Sequence, residues 1–312
     1  MNPTLALHSR LLLAALLITG IASAAIAQQD YGTPAVAADA LVAAVQSGND
    51  RAALLVLGRA GKDILSSGDE VADAAARQRF LAAVAQKHGT VLEGEKKAVL
   101  IVGADDYPFP IPILRNNNGT WSFDTDAGNR EILYRRIGRN ELATIQTCLA
   151  YLDAQREYAS KNRDGKGAGT YAQRIVSQAR KQDGLYWPHD QSADESPLGE
   201  LFATATKDGY WPRTGRKPYH GYYYKILMRQ GPASEGGPAN YIVNGRMIGG
   251  FALVAYPAIY RNSGVMTFIV NHSGVVYQKD LGPDTPKVAE EMLSFNPDRT
   301  WTKLDPQQAA DK

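Results

Sequence analysis

The stretch GFALVAYPAIYRNSGVMTFIVNHSGVVYQ, residues 250–278, decides the fold. Its two apolar runs, residues 250–256 and 265–270, are each long enough to form a buried β-strand. The turn residues at 272–274 lead into a third run at 275–278. Because short turns of this kind join neighbouring strands that run in opposite directions, the sequence predicts an antiparallel meander here.

Residues 221–229, upstream of the meander, alternate with the period of two that is typical of a strand. One face of this predicted strand carries Tyr222, Tyr224, Ile226 and Met228. Its other face carries Tyr223, Lys225 and Arg229. Residues 241–245 are predicted to form a further short strand and a turn.

A long helical stretch begins near Ala127, and we predict a break or kink at Gly138. Its best part, residues 140–161, has an apolar stripe in steps of three and four. The stripe consists of Leu142, Ile145, Leu149 and Leu152. We expect it to pack on the Tyr222 and Tyr224 face of the sheet. Shorter helices are predicted for residues 171–180, 198–205 and 286–293.

The N-terminal part of the chain begins with helical patterns. Residues 34–47 and 71–86 have apolar residues at helical spacing. Between them, Asp50 is placed to cap a short helix that ends at Leu57.

Strand patterns follow these helices. Residues 98–102 are predicted to be a buried strand, and residues 111–123 a hairpin around the turn at 116–119. Helices first and a sheet afterwards favour a small α+β domain that ends near residue 126.

The whole chain is therefore predicted to be an α+β protein with four parts. These are a signal peptide at residues 1–27, an N-terminal helical and β domain at 28–126, a long helix packed on an antiparallel sheet at 127–305, and a tail at 306–312.

The first 27 residues have the pattern of a secretory signal peptide. Arg10 is the only charged residue before Asp30, and an apolar run at 11–18 follows it. The segment 25–27 has the small-x-small cleavage pattern. We predict cleavage after Ala27 and a periplasmic or secreted location, with retention as an uncleaved anchor as the alternative. No later stretch is predicted to span a membrane.

Charge and cysteine content exclude several classes of protein. The 34 Lys and Arg residues nearly balance the 32 Asp and Glu residues. A nucleic-acid-binding protein usually has a clear basic excess, so this class is unlikely on charge alone. The single cysteine, Cys148, allows no intramolecular disulfide and no Cys-rich metal site. The histidines show no ligand spacing, so we predict neither a metal nor a cofactor.

Four segments, in the same order along the chain, resemble type IV pilins and pseudopilins. NELATIQTCLAYLDAQREY at 140–158 is similar to the C-terminal half of the long pilin helix. GYYY at 221–224, FALVAYP at 251–257 and GVMTFIV at 264–270 are similar to segments of the pilin head. The resemblance implies a pilin-like head fold over roughly residues 138–280.

The residues before this helix segment depart from the pilin pattern. A pilin requires an apolar helix half there, but this chain has charged residues: Arg130, Glu131, Arg135, Arg136 and Arg139. Burying unpaired charges in a pilus core would be costly. We therefore predict that the protein does not polymerise and is a monomer or a small oligomer.

The mature chain as a whole resembles a bacterial family of exported proteins that is catalogued as a domain of unknown function. The segments that carry the resemblance are SSGDEVAD at 66–73, WSFDTDAG at 121–128, YHGYYYKIL at 219–227, VNGRMIGGFALVAYP at 243–257 and SGVMTFIVN at 263–271. The resemblance implies no particular activity.

Aromatic residues around His220 form the candidate site. Stacking surfaces for glycans or peptides are rich in such residues, although an ordinary core uses them too. The predicted ligand or partner surface consists of Tyr219, His220, Tyr222, Tyr223, Trp187 and Trp211. His220 is also the candidate general base, with a structural histidine as the alternative.

The remaining chemical candidates have simpler explanations. Loop carboxylates at Asp105, Asp106, Asp124 and Asp126 suit acid–base chemistry but also turns and helix caps. Ser263 and Ser273 are predicted to be turn residues. Residues 162–167 have the outline of a calcium loop, but Lys166 occupies a ligand position. Cys148 is predicted to be buried.

These residues form no recognisable catalytic group. The sequence therefore predicts a non-enzymatic envelope protein that binds another envelope protein, a glycan or a peptide. The alternative is a periplasmic enzyme, for example a hydrolase of envelope material that uses His220 and the loop carboxylates.

Overall fold

A computed structural model of the protein describes residues 27–163, 167–188, 194–207 and 217–304. In this part of the chain the helices are α1 (Pro34–Gln46), α2 (Asp50–Leu57), α3 (Lys62–Leu65), α4 (Glu70–Gln86), α5 (Thr125–Ser160), α6 (Gly199–Lys207) and α7 (Thr285–Glu291). A short 3₁₀ turn at Arg59–Gly61 precedes α3.

The strands form two groups along the chain, one between α4 and α5 and one after α6. Within the described ranges these strands pair with one another only in antiparallel fashion. The N-terminal strands are β1 (His88–Leu92), β2 (Lys97–Val102), β3 (Tyr107–Pro108), β4 (Ile113–Arg115) and β5 (Trp121–Phe123). The C-terminal strands are β6 (Tyr222–Leu227), β7 (Arg229–Gln230), β8 (Ala239–Asn240), β9 (Ile242–Val243), β10 (Arg246–Met247), β11 (Ala252–Pro257), β12 (Met266–Asn271), β13 (Val276–Asp280) and β14 (Thr302–Lys303). The α+β prediction is confirmed.

The N-terminal sheet has the order β1-β2-β4-β5, and β3 pairs with β2. The predicted hairpin is confirmed, since Ile113 pairs with Phe123 and Arg115 with Trp121. Sequence reasoning missed β1, because its exposed residues have no apolar run that would mark a strand.

The cap of α2 corrects a detail of the prediction. Asn49, and not Asp50, is the capping residue, and its Oδ1 accepts hydrogen bonds from the backbone N–H groups of Arg51 and Ala52. Asp50 is the first helical residue, where a carboxylate is favourable beside the positive end of the helix dipole.

Helix α5 runs without interruption from Thr125 to Ser160, so the predicted break at Gly138 is wrong. One glycine in a helix costs about 1 kcal/mol relative to alanine. Contacts on both sides of Gly138 oppose this cost, since Arg136 and Asn140 both bind backbone carbonyls of other segments.

The C-terminal sheet has the order β14-β13-β12-β11-β6, which confirms the predicted antiparallel meander. Its two faces are covered by different helices. Tyr224 donates its hydroxyl proton to Thr144 of α5 over 3.3 Å, whereas Lys225 Nζ donates to the carbonyl of Ala289 in α7 over 3.1 Å. The period-two pattern of residues 221–229 therefore assigned the faces correctly.

The face of α5 that meets this sheet is only partly the predicted one. Ile145 and Leu152 are buried, but Leu142 and Leu149 are half-exposed. The other buried side chains of this face are Thr144, Cys148, Tyr151, Gln155 and Tyr158. An apolar stripe could not reveal them, because most are polar and are buried through hydrogen bonds to their surroundings.

Residues 171–180 were predicted to be a helix and are instead irregular, with two isolated bridges and a turn at 179–180. Tyr171 pairs with Met247, and Val176 pairs with Tyr186. The buried amide of Gln155 bonds to both the N–H and the carbonyl oxygen of Ala172, each over 2.8 Å. The backbone groups of Ala172 thus bond to the Gln155 side chain instead of to other backbone groups within a helix.

Two hydrophobic cores are separate in the structure. One lies among residues 31–123, under α1, α2 and the N-terminal sheet. The other lies among residues 145–295, between α5, the C-terminal sheet and α7. Because Ile132 of α5 packs on the first core and Ile145 belongs to the second, the domain division at 126 and 127 stays a prediction.

Candidate functional site

His220 lies at the tip of a two-residue turn before β6. The backbone groups of Tyr219 and Tyr222 exchange two hydrogen bonds of 2.9 and 3.1 Å across this turn. His220 and Gly221 both have positive φ, 49° and 73°, as a type I′ turn requires. A side chain at Gly221 would meet Asn140 Nδ2 at 2.6 Å, so only glycine fits between the turn and α5.

A buried carboxylate holds this turn from behind. Asp69 Oδ2 accepts a 2.8 Å hydrogen bond from the N–H of Gly221, while its Oδ1 caps α4 by accepting from the N–H of Ala72. Asp69 is 1% exposed. Its carboxylate therefore joins the first turn of α4 to the turn that carries His220.

Arg136 forms a second link between distant segments. Its guanidinium donates to the backbone oxygens of Asp63 and Ile64 over 2.5 and 2.7 Å, and to Oδ1 of Asn262 over 2.7 Å. Burial of this group lowers the pKa of Arg136. Asn262 in turn donates to the carbonyl of Ser66, so α5, the α3 segment and the loop after β11 are tied together.

Between α4 and α5 the structure has a cleft of about 1190 Å³, which α1 and α2 close on a third side. Apolar side chains from all of these elements line it, including Leu41, Leu57, Phe80, Phe109, Ile132 and Leu142. Helix α4 is loosely packed over this space, since Val84 alone among its 17 residues is buried. Ser67 and His220 also line the cleft, and Ser67 is buried.

The charged residues of the lining are mainly basic. They are Arg77, Arg79, Arg135, Arg136, Arg139 and Lys207, against Asp50 and Asp73. Arg77 pairs with Asp50 over 3.2 Å, and Arg135 pairs with Glu131 over 2.6 Å. Within the described part of the chain, the side chains of Arg79 and Arg139 form no hydrogen bond or ion pair. The cleft therefore presents an excess of positive charge beside an apolar surface.

The structure brings together only some of the predicted site residues. Tyr219 lies against His220, with 4.2 Å between the ring centroids. Tyr222 is buried under α5, where its hydroxyl donates to the carbonyl of Met266 and desolvation raises its pKa. Tyr223 is on the opposite face of the sheet, 5.8 Å from the ring of Tyr256.

The two tryptophans do not join this group in the described residues. Trp187 is 2% exposed, and its Nε1 donates to the carbonyl of Asp194 over 2.9 Å. The guanidinium of Arg163 stacks on its ring at 4.7 Å. Trp211 lies outside the described residues, and so do residues 164–166 of the calcium-like loop.

Most of the remaining candidates have structural partners. Asp124 caps α5 through the N–H of Ala127, and Asp106 pairs with Lys87 over 2.6 Å. Ser263 Oγ bonds to the backbone of Ile259 in a turn. Cys148 is fully buried, as predicted, and burial raises its pKa to about 12.

The cleft was not found from the sequence. Nothing in the sequence around Asp69 indicates its bond to Gly221, and the lining comes from segments far apart in the chain. The weak amphipathic pattern of α4, which has alanine on most of its faces, was the one available signal.

Comparison with known proteins identifies the family to which most of the chain matches. Residues 28–304 match the model of a family described as "Protein of unknown function (DUF2950)". No curated protein and no solved structure matches the chain, so the resemblance to pilin heads is not confirmed. In the described ranges, no helix has the length and apolar character needed to cross a membrane.

Proposed function

The chain belongs to the family of proteins of unknown function DUF2950, and we propose that it is an exported, non-enzymatic envelope protein that binds a ligand in the cleft between α4 and α5. The cleft is the observation that carries this proposal. Ligand sites are typically concave, mostly apolar and furnished with a few polar groups, and their volumes are commonly about 300–1,000 Å³. The cleft has this mixture of apolar and polar lining, and its volume of about 1190 Å³ is somewhat above that range.

The contacts around the cleft support a stable site. Asp69 holds the His220 turn, and Arg136 holds α5 against the α3 segment. These links fix two walls, while the loosely packed α4 forms the third. Fixed walls lower the entropic cost of binding, and a loosely packed helix can adjust to the ligand.

Binding of the fluorescent apolar probe N-phenyl-1-naphthylamine tests the proposal. Ala75→Phe places a ring in the cleft, because Ala75 lines it, whereas Ala74→Phe places the same ring on the exposed side of α4. We expect wild type and Ala74→Phe to bind the probe and Ala75→Phe to lose binding. Equal binding by both variants would place the probe elsewhere and contradict the proposal.

Export remains part of the proposal and rests on the pattern of residues 1–27. Expression in a bacterial host should yield a periplasmic or secreted product that begins at Gln28. Mass spectrometry of that product is the measurement. A membrane-bound product that retains Met1 would favour the uncleaved anchor.

The pilin-like head is also proposed for the C-terminal part. Packing of the second half of α5 on the meander supports it. We expect no filaments, because charged residues precede that half, and one of them, Arg136, binds the α3 segment instead of a neighbouring subunit. Light scattering should give a monomer or a small oligomer. Filaments of the mature chain in negative-stain images would overturn this expectation.

A hydrolase is the second candidate, and one observation favours it: His220 and Ser67 both line the cleft, and Asp69 contacts the segments that carry them. The N–H of Asp69 donates to Ser67 Oγ, and its carboxylate accepts from the N–H of Gly221. A hydroxyl, an imidazole and a carboxylate are the groups of nucleophilic acyl transfer. Hydrolysis of p-nitrophenyl butyrate tests it. Turnover that is lost in His220→Gln and in Ser67→Ala would establish the hydrolase, and turnover unaffected by both substitutions would exclude this site.

A further inference from the structure

The two ends of the cleft differ in chemistry. At one end, Asn140 of α5 meets the His220 turn, since Asn140 Nδ2 lies 2.6 Å from where a side-chain carbon on Gly221 would be. Arg139 precedes Asn140 and also lines the cleft. This end therefore presents a guanidinium and an imidazole.

The other end is apolar. Phe80 of α4 and Phe109 contact each other with 5.5 Å between ring centroids, and Ile132 of α5 belongs to the same cluster. From Ile132 to Arg139 is two helical turns, or roughly 10 Å along the axis of α5. An apolar surface of that length thus leads to a basic end.

The lining has two acidic residues against six basic ones, and one of the acids, Asp73, interacts electrostatically with Arg136. Of the two acidic residues in the lining, Asp50 is paired with Arg77, and Asp73 accepts a 2.9 Å hydrogen bond from the N–H of Ser67. The side chain of Arg139, in the described part of the chain, has no hydrogen-bonded or ion-paired partner. A guanidinium of this kind suits a carboxylate or a phosphate.

We propose that the ligand of the cleft is a single-chain amphiphile with an anionic head group. Its head lies at Arg139 and His220, and its chain lies along Ile132, Phe80 and Phe109. This inference rests on the proposed function, since it names the class of ligand for the same cleft. Arg79, which precedes Phe80, is a second cation of the lining. We place the head at Arg139 because the side chains of Phe80, Phe109 and Ile132 would desolvate a charged group beside them.

Displacement of N-phenyl-1-naphthylamine by ten-carbon competitors tests the proposal. Decanoate and decyl phosphate carry anionic heads and distinguish a carboxylate from a phosphate ligand, while 1-decanol and decyltrimethylammonium share the chain but not the charge. We expect at least one anionic competitor to bind about five times more tightly than 1-decanol. Decyltrimethylammonium should bind most weakly of the four competitors.

Arg139→Gln should reduce the preference for the anionic competitor over 1-decanol by about fivefold. Arg130→Gln is the matched control, since Arg130 is exposed on the same helix and does not line the cleft. Equal affinity of decanoate, decyl phosphate and decyltrimethylammonium, or the same preference in both variants, would overturn the proposal. If Ala75→Phe still abolishes probe binding in that case, the protein binds a ligand in the cleft but does not select an anionic head group.

Discussion

Asp69 Oδ2 accepts a 2.8 Å hydrogen bond from the backbone N–H of Gly221, which lies 152 residues further along the chain. The same carboxylate caps α4. A single side chain thus sets both the start of the helix over the cleft and the position of His220 in its lining. The first prediction concerns this double role.

Asp69→Ala removes the cap of α4 and leaves the N–H of Gly221 without its acceptor. We expect a loss of about 2–4 kcal/mol of unfolding free energy in urea, since a cap contributes about 1 and an unsatisfied buried donor costs about 1–3. Asn49→Ala is the control, because Asn49 only caps α2 and should cost about 1 kcal/mol. Equal losses in the two variants would mean that the bond to Gly221 adds nothing.

Arg136→Met should destabilise the protein by about 2–4 kcal/mol, because two backbone carbonyls and Asn262 lose a charged donor. Arg130→Met changes an exposed residue of the same helix and should stay within about 0.5 kcal/mol of wild type. Urea unfolding of both variants makes the comparison. A similar midpoint for the two would show that Arg136 does not join the segments as described.

Gln155→Met keeps the size of the side chain but removes its amide. The N–H and carbonyl of Ala172 then lose their partners in a buried position, and we expect a loss of about 2–4 kcal/mol. The neighbouring variant Arg156→Met lies on the exposed side of α5 and should change stability by less than about 0.5 kcal/mol. Thermal melts that coincide for the two variants would contradict the role of Gln155.

Cys148 should be inert in the native protein. Its pKa is raised to about 12 by burial, so at pH 8 only about one molecule in ten thousand carries the thiolate. A disulfide reagent such as Ellman's reagent should react with the thiol only after unfolding. Stoichiometric reaction within seconds without denaturant would show that the helix face is accessible.

The same raised pKa predicts how stability depends on pH. An unfolded cysteine ionises near pH 8.5, whereas the folded one stays protonated to about pH 12. The unfolded state therefore loses its proton first, and the contribution of Cys148 to stability falls as the pH rises above about 8.5. The unfolding free energy is measured at pH 8 and at pH 10 for the wild type and for Cys148→Ala. The variant lacks the contribution of the thiol, so its unfolding free energy should fall less between the two pH values than that of the wild type.

Sequence patterns were sufficient wherever a local period determined the structure. The alternation of Tyr222, Tyr224 and Ile226 assigned the faces of β6, and the apolar runs located β11 and β12. The predictions failed where a distant polar partner decided the outcome. Gln155 binds the backbone of Ala172 in a segment that was expected to be helical, and bonds from Arg136 and Asn140 anchor α5 on both sides of Gly138.

In the candidate site, too, local residue types could be predicted from the sequence but distant contacts could not. Its residue types were visible, and His220 was selected together with loop carboxylates near residues 105 and 124. The carboxylate that binds the His220 turn is instead Asp69 at the start of α4, through the backbone N–H of Gly221. Tyr222 and Tyr223 are adjacent in sequence and lie on opposite faces of a sheet, so aromatic density alone could not define a surface.

Amide chemical-shift mapping of the isotope-labelled mature protein tests the central claim, a binding site between α4 and α5. Decanoate is added until the shifts stop changing. The account predicts that the largest changes fall on residues 71–83 and 132–143 and at His220, and that Ala75→Phe abolishes them while Ala74→Phe does not. Changes that fall mainly on the C-terminal sheet, or no changes at any concentration below micelle formation, would contradict it.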